Sequence, residues 1–276
     1  MTYVTFSKSC TLFCALFVLA TWSGAVLGKE QRNQDNNGPS RWTMADEFFG
    51  AREMSASRRS VQRANGGLPG YFISADRLEY QTANNSDVLV WDGQGWVGGD
   101  INKLWVKTEG DYSLNEDEFD EAEIQALWSR AITTFFDLQA GVRYDFESDR
   151  RAHFVAGVQG LAPYWFEIDA AGFVSGEGDV TARIEAEYDL LVTQRFILQP
   201  RVELELSAQD IPELDVGAGV TALDLGLRAR YEVVREFAPY IGVEWRAAFG
   251  ETGDIIDAAG GDDRQTVFVV GVTAWF

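Results

Sequence analysis

The side chains able to hold a transition metal are few. The 276-residue chain has one histidine, His153, two cysteines, Cys10 and Cys14, and, after the first residue, two methionines, Met44 and Met54. Thioethers are soft donors, and imidazole suits borderline ions. Met44 and Met54 are ten residues apart, which does not make them neighbours on one helical face. Carboxylates are the abundant donors. Glu185 with Glu187, and Glu203 with Glu205, stand two residues apart, a spacing that a strand places on one face. Such pairs can hold a hard cation or share a proton. In an acidic, strand-rich chain the spacing also follows from composition alone, so it is weak evidence for acid–base catalysis. A Ser–His hydrolase would have to rely on His153, and no Gly-x-Ser-x-Gly elbow accompanies it. The chain therefore reads as a non-enzyme. No Cys-x-x-Cys is present, which excludes zinc-finger and iron–sulfur architectures.

Acidic residues number 43 against 23 Lys and Arg, a net charge of −20. That excludes nucleic acid as a partner, because phosphate recognition needs clustered cations. The apolar run Leu12–Trp22 follows Lys8 and precedes Ser23, Gly24 and Ala25. A basic start, a short apolar core and small residues at a cutting point describe a signal peptide over 1–28 rather than a spanning helix. Its removal takes both cysteines, leaving no disulfide or thiolate chemistry. Residues 29–69 then form a polar N-terminal segment with seven basic and five acidic residues. Residues 70–276 carry 15 basic and 38 acidic residues, net −23.

From Tyr71 onward the apolar period is two. In 180–192, Val180, Ala182, Ile184, Ala186, Tyr188 and Leu190 share one face, and Arg183, Glu185, Glu187 and Asp189 the other. Residues 195–207 repeat this with Val202 and Leu204 against Arg201, Glu203 and Glu205. Twelve such runs are read, at roughly 71–82, 87–97, 101–110, 120–131, 134–146, 150–161, 163–175, 179–192, 195–209, 219–234, 237–249 and 264–276. Most reach the length of a tilted transmembrane strand, and every second connection is a tight turn. The long connections at 111–119, 210–218 and 250–263 all fall on the other side. The expected fold is an all-β, transmembrane, antiparallel up-and-down barrel of about twelve strands in the outer membrane, 70–276. Its lumen is lined by Glu123, Arg143, Glu167, Asp169, Arg183, Glu185 and Glu187, together with Arg201, Glu203, Glu205, Arg228, Arg230, Glu244 and Arg246. His153 joins that face. Phe135, Phe136, Tyr164, Trp165, Phe196, Phe237 and Tyr240 gather near the tight turns as an interfacial girdle. A soluble β-sandwich or lipocalin-like barrel gives the same alternation with its faces exchanged, and pattern alone leaves the outward face open.

Long blocks in order carry a resemblance. They include DRLEY at 76–80, WDGQGWVGGDINKLWVKTEG at 91–110, AEIQALWSRAI at 122–132 and LQAGVRYD at 138–145. GVQGLAPYWFEIDA at 157–170, ARIEAEYDLLVTQRFILQPRVELELSAQ at 182–209 and LGLRARYEVVREFAPYIGVEW at 225–245 continue the series. These blocks resemble the copper resistance protein B family of Gram-negative outer membranes. The resemblance implies a protein that binds or passes copper ions at the envelope, with lipid around it and a periplasmic multicopper oxidase of the same system as neighbour. The family's N-terminal region is commonly rich in Met and His; here 29–69 offers Met44 and Met54 and no His. The metal candidates are thus Met44, Met54 and His153, with copper held weakly or transiently. The alternative is a passive, cation-preferring pore without specific copper sites, since an acidic lumen concentrates cations.

Overall fold

The computed structural model describes residues 44–65, 69–83, 86–146 and 150–276. The expected signal peptide, and the rest of the chain up to Thr43, lie outside them. Two compact units divide at Ser57. In the first, a turn at Met44 and Ala45 leads into α1, Asp46–Phe49. Gly50 then takes a positive φ of 80° and ends that turn of helix, and α2, Ala51–Asn65, begins in this unit and runs past the division at Ser57.

The second unit is built from β1 Gly70–Ala83, β2 Ser86–Gly98, β3 Asn102–Ser113, β4 Glu118–Ala131, β5 Phe136–Asp145 and β6 Ala152–Ala162. It continues with β7 Phe166–Ser175 and β8 Val180–Tyr188, which Leu190–Leu191 prolong after a break at Asp189. Then come β9 Phe196–Ser207, β10 Gly219–Tyr231, β11 Phe237–Ala248, α3 Gly250–Ala259 and β12 Arg264–Trp275. Each strand pairs antiparallel with its sequence neighbours, and β12 pairs with β1. The twelve strands close on themselves, so the barrel leaves no edge to satisfy.

Burial settles which face is outward. Ile184, Val202, Leu225, Ile241, Phe268 and Val270 are exposed, whereas Glu79, Gln125, Arg201, Arg228 and Glu244 are buried. An apolar exterior round a polar interior is the arrangement lipid demands, and it excludes the soluble barrel. Apolar side chains do enter the lumen, and they gather at one place besides the cluster of Tyr240, Val267 and Val269. Leu127, Val155 and Phe173 pack together there, with Trp105 and Ala171 against them.

Connections are short on one side, for example 99–101 and 163–165, and reach their greatest length at 208–218 and 249–263 on the other. Two expectations need correction. The stretch 111–119 is not a long loop: β3 and β4 extend into it, leaving a turn over 114–117. The cause is continued cross-strand pairing, Tyr112 with Phe119 and Ser113 with Glu118. The stretch 250–263 holds α3, closed by Gly260 at a φ of 85°. In the girdle, Phe135, Tyr164, Trp165, Phe196 and Phe237 are exposed near the short turns, but Tyr240 is buried and faces inward. Its hydroxyl donates to Glu79 Oε1 at 2.9 Å.

Candidate functional site

The interior is a layered lattice of ion pairs with a chamber at each end. The strand alternation that turns Ile184 and Val202 outward turns Arg183, Glu185, Arg201 and Glu203 inward. Arg201 is 3% exposed. Its Nε lies 2.5 Å from Glu185 and 3.3 Å from Glu187, and its Nη2 is paired with Glu203. This is a wall contact, since Arg201 and Glu187 are cross-strand partners in the β8–β9 ladder. Arg183 reaches further. It pairs with Glu109 on β3 at 2.8 Å, Glu123 on β4 at 3.6 Å, and Glu203 and Glu205 on β9 at 3.3 and 3.4 Å. Glu109 also pairs with Arg77, whose Nε stands 3.2 Å from Asp92. Glu123 receives Arg143 at 2.7 Å, and Arg143 holds Asp145 at 2.6 Å.

A second knot lies where β10, β11 and β1 face one another. Arg228 bonds Glu79 at 2.7 Å through Nε and Glu244 at 2.7 Å through Nη2. Arg246 bonds Glu244 at 2.8 Å and donates to Gln81 Oε1 at 2.8 Å. A Cβ at Gly226 would lie 2.5 Å from Arg228 Nη1, so the absent side chain makes the room this guanidinium occupies.

The larger chamber, about 520 Å³, reaches the short-turn end, where Thr134 and Phe135 line it. Glu167, Asp169, Glu185, Glu187 and Arg230 line it too. Asp169 is paired with Lys107, and Arg230 with Asp189. Its wall carries ten Asp and Glu against six Lys and Arg. The smaller chamber, about 150 Å³, lies at the long-loop end beneath Ile211, Leu214 and Val216. It holds His153 with Glu121, Arg143, Asp145 and Glu205.

The metal candidates fall in different units, His153 in the second and Met44 and Met54 in the first. His153 Nδ1 is 3.4 Å from Asp145 Oδ2. Ser175, its cross-strand partner, donates its hydroxyl to Asp179 at 3.2 Å. Met44 is 70% exposed ahead of α1, and Met54 is half-buried on α2, both in the first unit. Among the described residues the carboxylates close enough to share an ion are Glu116, Glu118 and Asp120, all exposed. In donor chemistry the lumen offers oxygen and one imidazole, and 70–276 contains no Met or Cys. That set fits copper(II) and not copper(I).

The description "Copper resistance protein B precursor (CopB)" matches residues 70–276. The chain belongs to the copper resistance protein B family. Copper resistance protein B of Escherichia coli is 44% identical over 207 residues, 75% of this chain and 69% of that protein. A copper resistance protein B homolog of Pseudomonas syringae pv. tomato (strain ATCC BAA-871 / DC3000) is 40% identical over 210 residues, 76% of this chain and 70% of that one. A NanC porin structure superposes with a TM-score of 0.50 at 11% identity, over 74% of this chain and 99% of that one, a likeness of fold. Family and fold together place the chain in the outer membrane and support a role in copper resistance.

The sequence pattern named Arg183, Arg201, Glu203, Arg228 and Glu244, but not Arg77, Glu79, Asp92 and Glu109, which complete the lattice. A bulge between Ala75 and Arg77 reverses the phase of β1 and hides the first two. Glycines at 93, 95 and 110 occupy outward positions that would otherwise show an apolar alternation. The signal available was the charge in DRLEY and KTEG, which only an inward face can bury.

Proposed function

We propose that the barrel binds copper(II) weakly within its lumen and passes it along the envelope, limiting the metal's toxicity. The observation that carries this reading is the donor set: a surplus of carboxylates round the larger chamber, with the chain's one imidazole beside Asp145 in the smaller. Excess negative charge between low-dielectric walls concentrates cations. His153 supplies the ligand type that favours copper(II) over calcium or magnesium. Met44 and Met54, in the segment proposed to stand in the periplasm after signal removal, are candidate soft donors for reduced copper. The reading is non-enzymatic. A periplasmic multicopper oxidase is the proposed neighbour, on the family resemblance alone.

Equilibrium dialysis of the refolded chain tests the proposal. Copper(II) retained above a calcium control, and reduced in His153→Ala, is the expected result. Retention no greater than calcium would refute binding. A passive cation pore would instead show steady conductance in planar bilayers and no preference for copper.

A further inference from the structure

We propose that Arg183 keeps the lumen closed, acting as a charged bolt between two chambers that otherwise form one cation path. Among the described residues, Arg183 and Phe173 line both cavities. Phe173 is packed into the apolar cluster with Leu127 and Val155, so Arg183 is the charged residue common to both cavities, while Arg143 lies over the Phe173 ring from the smaller one.

Its bonds run across the lumen. Arg183 on β8 meets Glu109 on β3, five positions round the twelve-strand ring, at 2.8 Å. Arg201 differs in both respects: its partners are Glu185 and Glu187 on the adjoining strand and Glu203 on its own, and it lines neither cavity. Lys107 also crosses the lumen, to Asp169, but it lines the larger chamber alone.

A guanidinium at the narrow point of an acidic passage acts twice. It fills the cross-section, and its fixed positive charge opposes a cation arriving from either side. Removing it takes from Glu109, Glu123, Glu203 and Glu205 the cation that all four share; Arg77, Arg143 and Arg201 still hold the first three, and the junction becomes more negative by one charge. Carboxylates so placed draw cations through. The inference goes beyond copper, because any small cation reports it.

The experiment is planar-bilayer recording of the full chain in a potassium chloride gradient, without copper. Folding of each variant is checked by its heat-modifiable migration. The parent chain is expected to show no steady current. Arg183→Ala and Arg183→Gln are expected to gain steady current, with the reversal potential displaced toward that of potassium. Arg183→Lys is expected to restore closure, and Arg201→Ala to stay silent. Either folded neutral variant proving as silent as the parent would overturn the proposal. So would a parent already conducting to the same extent, or Arg201→Ala conducting like Arg183→Ala. Since copper is absent throughout, the result is independent of the dialysis experiment.

Discussion

Replacing Arg228 with Met tests whether the interior is held by paired charge. Arg228 is 2% exposed, Glu244 1%, and Glu79 2%. The substitution keeps much of the stem's volume and removes the only cation that Glu79 and Glu244 share. Breaking a buried pair costs about 3–5 kcal/mol, because a buried charge is left uncompensated. Here two carboxylates lose a partner, but neither is stripped bare. Glu79 keeps the Tyr240 hydroxyl at 2.9 Å and the Gln81 amide at 2.7 Å, and Glu244 keeps Arg246 at 2.8 Å. The loss should therefore fall near the lower end, about 3 kcal/mol. Urea unfolding in lipid vesicles, followed by tryptophan fluorescence, measures it. The companion variant Glu79→Gln/Arg228→Met/Glu244→Gln removes these three charges together, leaves Arg246 to Asp224 and Gln81, and should recover most of the loss, since replacing a buried ion set by neutral groups is often nearly neutral. A single-variant cost below about 1 kcal/mol, the range of an exposed pair, would refute the account. So would a triple variant no more stable than the single one.

Three further outcomes follow from particular contacts. Val202 faces outward from β9, so Val202→Arg should cost about 2–4 kcal/mol in vesicle unfolding, the penalty of a cation on a lipid face near mid-membrane. A Cβ on Gly110 would lie 2.3 Å from the Trp91 ring across the β2–β3 ladder. Gly110→Ala should accordingly destabilise by about 1–3 kcal/mol, measured by the same unfolding curve. Ile211 is 2% exposed within the 208–218 loop and is bridged to Val216. Ile211→Ala should free that loop at a cost of about 2–5 kcal/mol, read as faster proteolytic nicking there while the barrel stays folded.

Legibility followed the regularity of alternation. Ile184, Ala186 and Tyr188 in β8, and Val202, Leu204 and Leu206 in β9, fall at every second position with charges between them, so both faces could be named without coordinates. The copper-resistance relation was legible too, through block resemblance and not through any ligand motif. What alternation hid had definite causes. The bulge in β1 exchanged the faces part-way along the strand, which concealed Arg77 and Glu79. Trp105, Leu127, Val155 and Phe173 broke the rule that the lumen is polar, and only packing shows that they meet. The helix α3 begins after Phe249 with no side-chain cap, so its start carried no signal in the sequence. Which inward charges pair across the lumen depends on strand stagger and register, and sequence spacing does not encode that for strands as remote as β3 and β8.

The acid surplus and the closure of the lumen are two sides of one arrangement. A wall with ten carboxylates and six cations cannot pair them one to one. Several arginines in the lumen therefore serve more than one acid: Arg183 has four carboxylate partners, Arg201 three, and Arg228 two. A guanidinium can do this because its five donors point along fixed, separate directions, which an ammonium lacks. The consequence is an asymmetry between the two kinds of charge. Loss of one carboxylate leaves an arginine such as Arg183 with other partners, whereas loss of that arginine takes a partner from several carboxylates at once and turns a packed cross-section into a cation-attracting one. The groups that would attract copper are thus the same groups that hold the barrel shut, and few arginines separate the two behaviours.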